Sequence, residues 1–158
     1  ILTAVAIPSF SDFGKSQSLF QAFKTLKSNL RVAQSRSLAG SENKAWGIHL
    51  SSVPSSSYSI FNCTPVTSLT QYSEYTFANA RCGSGTSYKT IDLGSNVRVS
   101  ALNPSGPSGL DLVFDAQNGS TVANGSQPTA DVVVTLDYTS GGSTPQTLRI
   151  TQGGGIID

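Results

Sequence analysis

His49 is the only histidine in the chain. It is therefore the sole candidate base for a Ser or Cys nucleophile. Trp46, Ile48 and Leu50 alternate with Ala45, Gly47 and His49, which places His49 on a strand, on the face opposite Ile48 and Leu50. The expected position is a surface-facing strand histidine rather than a catalytic one. Ser41-Glu42-Asn43-Lys44 has the Ser-x-x-Lys spacing of β-lactamases, but the chain holds no Ser-Asp-Asn and no Lys-Thr-Gly to complete that machinery. It reads as a helix-to-strand loop. Gly153-Gly154-Gly155 is not followed by Lys-Ser/Thr, so it is not a phosphate loop. Asp115-Ala116-Gln117-Asn118-Gly119 lacks the spaced acidic ligands and terminal Glu of a calcium loop and reads as a turn. One histidine and two cysteines do not make a four-ligand zinc site. The expectation is no enzyme, no metal and no cofactor.

Cys63 and Cys82 allow one covalent link. A disulfide between them closes a loop of roughly 20 residues and contributes about 3 kcal/mol. It implies an oxidising compartment; the alternative is two buried thiols. Asn62-Cys63-Thr64, Asn118-Gly119-Ser120 and Asn124-Gly125-Ser126 are glycosylation-type sequons. Trp46 and the five tyrosines could stack on sugars, though on strands such rings more often fill the core. Lys15, Lys24, Lys27, Arg31, Arg36 and Lys44 outnumber Asp12 and Glu42 along the first segment and its exit, and DNA phosphates are a conceivable partner. Against that, the net charge is only +1.

The elements carrying these residues fall into two parts. Leu19, Phe23, Leu26, Leu30 and Ala33 recur at steps of four and three, one face of a helix over residues 12–38, with Phe20, Ala22 and Leu38 widening the stripe. Pro8 should start or kink the helix, and Gly40 suits its C-cap. Such a helix is ~40 Å long, too long for a domain of this size to cover, so its N-terminal part should protrude. From Lys44 the period becomes two. Strands are expected over residues 45–51, around Tyr58, Ile60 and Phe61, and over 72–78, 88–93, 97–102, 110–115, 132–138 and 147–152. A short edge strand could follow in 153–158. Asn103-Pro104, Asn118-Gly119, Asn124-Gly125 and Gly141-Gly142 punctuate them. The plan is α+β, a long N-terminal helix (1–40) packed on an antiparallel β-sheet domain (41–158).

Composition agrees with an extracellular β protein. Charged residues make up 12% of the 158, about half the usual ~25%, so polar uncharged residues must cover the surface. Met is absent; Ile1 is not a translational start, and the chain is read as a processed or partial product. Ile1, Leu2, Ala4, Val5, Ala6 and Ile7 form an apolar run before Pro8 and Phe10, shorter than the ~20 residues that span a bilayer. A truncated membrane helix would look like this. On the free end of a protruding helix, such a run wants a bilayer or identical helices.

The opening Ile1-Leu2-Thr3-Ala4-Val5-Ala6-Ile7-Pro8-Ser9-Phe10 resembles the later part of the N-terminal helix of type IV pilins and type II secretion pseudopilins. Residues 30–39, then Trp46-Gly47-Ile48-His49, resemble the helix end and first strand of H-type pseudopilins and related minor pilins. Leu112-Val113-Phe114-Asp115-Ala116-Gln117-Asn118-Gly119 and Leu148-Arg149-Ile150 echo their late strands. The resemblance implies a pilin-like fold and a structural subunit of a bacterial pilus or pseudopilus. Such a subunit polymerises through Ile1, Leu2, Ala4, Val5, Ala6, Ile7, Pro8 and Phe10, with Pro8 as hinge, while Leu19, Phe23, Leu26 and Leu30 hold the β domain. Its partners would be copies of itself or other pilins, with the inner membrane as anchor before assembly. Its place would be an extracellular filament or the periplasm. DNA uptake or surface adhesion by a minor pilin is the alternative.

Overall fold

Residues spaced three and four apart, Leu19, Ala22, Phe23, Leu26, Leu30 and Ala33, form a helix face that is completely buried. They belong to α1 (Ile7–Leu38) in the computed structural model, which describes residues 7–158, with side chains from residue 12 onward. Ile1, Leu2, Ala4, Val5 and Ala6 of the expected assembly segment lie outside the described residues. Ile7, Pro8 and Phe10 lie in the first turn of the described helix. Gly40 ends the helix at φ 62°, a left-handed conformation that costs glycine little, and its N–H donates to the Ser37 carbonyl. Phe20 and Leu38 do not widen the buried stripe, because they stand 45% and 53% exposed. At 100° per residue both project about 120° away from Leu26, onto the solvent side.

Nine strands follow: β1 (Ala45–Leu50), β2 (Ser57–Cys63), β3 (Lys89–Asp92), β4 (Val97–Asn103), β5 (Leu110–Phe114), β6 (Thr121–Ala123), β7 (Val132–Tyr138), β8 (Gln146–Ile150) and β9 (Ile156–Ile157). They form two antiparallel sheets rather than one, ordered β3-β2-β1-β5-β6 and β4-β7-β8-β9. The sheets are stitched at both sides. Ser55 and Val99 exchange backbone hydrogen bonds, and the Thr121 N–H donates to the Gln152 carbonyl at 2.9 Å. The α1 stripe packs on both sheets and shares one core with Trp46, Ile48, Leu112, Val134 and Leu136.

The five-stranded sheet is also covered on its other face. Ala45, Phe61, Cys63, Val113 and Val122 pack there under Val66, Tyr72, Tyr75 and Cys82. The strand expected over 72–78 is absent. Leu69–Glu74 is a 3-10 helix instead. Its period-two aromatics mimic a strand, but β2 already has β1 and β3 as neighbours, so no edge was open there. Tyr72 and Tyr75 lie buried over the sheet instead of pairing with it. Gly47 marks a close crossing: a Cβ on it would overlap the Leu112 carbonyl oxygen of β5.

Candidate interaction surfaces

The first surface is the outer side of α1. None of the residues 12–18 is buried. Phe13 is 64% exposed, and Phe20, seven residues on, continues the same side. Lys24 lies over the Phe20 ring, 4.3 Å from its centroid, a cation–π contact on an otherwise uncovered face. The opposite side carries Leu19, Phe23, Leu26 and Leu30, all at most 4% exposed. One helix thus presents a core face and a solvent face bearing large aromatics. Among the described residues no helix is long and apolar enough to cross a membrane.

Three of the helix cations are already engaged. Lys15 pairs with Asp12 at 3.2 Å and Lys27 with the Asp158 carboxylate. Arg36 has turned toward the sheet, where its Cζ lies 4.7 Å from the Trp46 ring centroid and 5.6 Å from that of Tyr88. Trp46 is fully buried, so it is not a sugar-stacking platform, whereas Tyr88 is 58% exposed.

The second surface is the disulfide loop. Cys63 at the end of β2 is bonded to Cys82 in the 3-10 turn Ala80–Cys82. Polar contacts seat the loop between them. The Val66 N–H donates to the Tyr75 hydroxyl at 2.9 Å, and the Tyr72 hydroxyl donates to Asp115 Oδ2 at 3.0 Å. Burial raises the pKa of both tyrosines, and for Tyr72 the Asp115 carboxylate raises it further. Arg81 is tied to Glu74 within the same loop.

The third is a cleft of about 400 Å³ where this loop ends, lined by His49, Phe77, Pro107, Gly109, Asp111 and Asn124. His49 is not the surface-facing histidine expected, because the loop covers it. Its Nδ1 is 2.6 Å from Asp111 Oδ1, and its ring stacks on Phe77 with centroids 4.3 Å apart. The other Asp111 oxygen accepts the Phe77 N–H at 3.0 Å, and the Asp111 N–H donates to Asn124 Oδ1 at 2.8 Å. Among the described residues no Ser or Cys is hydrogen-bonded to the imidazole. It works as a clasp between β1, β5 and the loop. Asp111 was not singled out from the sequence. The signal was there, an acid inside the apolar strand Leu110–Phe114 that must find a partner.

No family model matches the chain, and no curated protein sequence does either. Among solved structures the chain is similar to the crystal structure of the type IV minor pilin FimU of Pseudomonas aeruginosa strain PAO1, with a TM-score of 0.56 and 18% identity. The likeness covers 92% of this chain and 90% of that one. The fold is therefore pilin-like, α+β, a long N-terminal helix followed by antiparallel sheets.

Proposed function

We propose that the chain is a structural subunit of a filament of the type IV pilus or type II secretion pseudopilus kind, assembling with pilin-fold neighbours through α1 and the apolar residues that precede it. One observation carries the reading. The helix is built with two faces, and the one turned away from the β-sheets exposes Phe13 and Phe20. Large exposed aromatics on a helix that already has a complete core are an interaction surface. The apolar residues Ile1, Leu2, Ala4, Val5, Ala6 and Ile7 extend it in the sequence. A contact repeated from subunit to subunit without closing gives a helical filament. In this reading Pro8 is the hinge, the inner membrane holds the subunit before assembly, and the assembled position is extracellular or periplasmic. In this reading the role is structural, and the His49–Asp111 pair is a clasp between β1 and β5.

The test is a photo-crosslinking amino acid at position 13 or 20, with mass spectrometry of the sheared filament fraction. Crosslinks to the N-terminal helix of another pilin-fold subunit are expected. Recovery of the chain only as an uncrosslinked monomer, absent from the filament fraction, would sink the proposal.

A further inference from the structure

Arg36 is held in an unusual way. Its guanidinium lies over the rings of Trp46 and Tyr88, which meet edge to face with centroids 5.0 Å apart. Trp46 is itself fixed, completely buried with its Nε1–H directed at the Ser41 carbonyl at 3.4 Å. A guanidinium carries five N–H donors in one plane. Among the described residues none of those donors meets a hydrogen-bond acceptor or an acid. The group lines a cleft of about 250 Å³ between α1 and the β3 edge, with Asn29, Val32, Tyr88 and Lys89 around it. Two cations face this cleft and no carboxylate does.

We propose that the Arg36 cleft receives an aspartate or glutamate side chain from an adjacent pilin-fold subunit. This rests on the filament reading above and names one of its contacts. Arg recognises a carboxylate through two parallel N–H···O bonds. The rings have already restricted the side chain, so less rotamer freedom is lost on binding. Trp, Tyr and Arg are also the residue types that carry most interface energy. Val32 adds an apolar rim, 44% exposed beside the cleft and on the same helix. The arrangement suits an acidic side chain on a protein surface: one anion point, one flanking cation and an apolar border.

Trp46 is the only tryptophan, and its ring lines this cleft, so its fluorescence in the folded protein responds to binding there. The monomeric protein is titrated with a capped hexaglutamate peptide, with capped hexaglutamine and with polygalacturonate. A saturable change in Trp46 emission is expected with hexaglutamate and none with hexaglutamine. The midpoint should move to about tenfold higher concentration in Arg36→Gln, the loss of one charge-assisted pair. Lys89→Gln, on an exposed strand edge, should weaken it severalfold with the fold intact. No response to hexaglutamate, an unchanged midpoint in Arg36→Gln, or a response to polygalacturonate alone would each overturn the proposal. A photo-crosslinker at position 32 in sheared filaments then identifies the source. An Asp- or Glu-bearing peptide of a neighbouring subunit is expected, and a glycan adduct or no adduct counts against it. The titration needs no filament, so its failure leaves the assembly reading standing, and failed crosslinks at positions 13 and 20 leave the titration standing.

Discussion

Ser37 and Trp46 hold each other. The Trp46 N–H donates to Ser37 Oγ at 2.7 Å, and the hydroxyl reaches back to the Trp46 carbonyl at 3.4 Å. Ser37 is completely buried near the end of α1, and Trp46 is the second residue of β1. A serine inside a helix would ordinarily weaken it slightly. Here the hydroxyl fixes where the first strand leaves the helix.

Ser37→Ala should therefore cost about 1–3 kcal/mol, because the Trp46 N–H is left buried without its acceptor. Urea denaturation followed by Trp46 fluorescence measures this. A loss under about 0.5 kcal/mol, the level of an ordinary surface change, would mean that the contact is dispensable.

Removing the bridge, as Cys63→Ser with Cys82→Ser, should lower stability by about 3 kcal/mol. Hydrogen exchange should then quicken first in residues 64–86 and at His49, whose ring loses Phe77 when the loop lifts. Equal acceleration throughout the two sheets would show that the bridge is not a local clamp.

Gly47→Ala should be among the most damaging single-methyl additions in the chain. The new Cβ has no free space against the β5 backbone, and overpacking of this kind costs about 1–3 kcal/mol or more. The same substitution at Gly14, where nothing lies within 4 Å, should be neutral or slightly stabilising, since alanine is the better helix former. Thermal midpoints of the two variants make the comparison.

Tyr58, Tyr72 and Tyr75 set the alkaline limit. Burial raises each above its ordinary value of 10.0, against which the Asn29 hydrogen bond to Tyr58 only partly works. A raised folded-state pKa gives stability that is complete below the unfolded value and is lost as pH climbs through the folded one. Stability contributed by these groups should thus be flat below pH ~10 and fall above it. A spectrophotometric tyrosine titration should show these three phenols ionising late and together with unfolding. Free ionisation of all five near pH 10 in the folded protein would contradict the burial argument.

The parts of the fold that were legible in the sequence were those set by local periodicity. The α1 stripe follows from spacings of three and four, and β7 follows from the β-branched run Val132-Val133-Val134-Thr135, with Leu136 two beyond Val134. The parts that were not legible depend on register between distant segments. His49 meets Asp111 because β1 and β5 pair at that position. Arg36 meets Tyr88 because the helix crosses the β3 edge, and no local pattern announces either contact. Residues 72–78 misled for the opposite reason. Their alternation is real, but the rings roof a sheet rather than extend it. Phe20 belonged to the solvent side of α1, which only the angular position of the whole stripe decides.

Because the stripe from Leu19 to Ala33 packs on both sheets, any pull on the near end of the helix is borne by both together. The side chains must slide past one another in shear, all at once. They cannot be unzipped strand by strand from one edge.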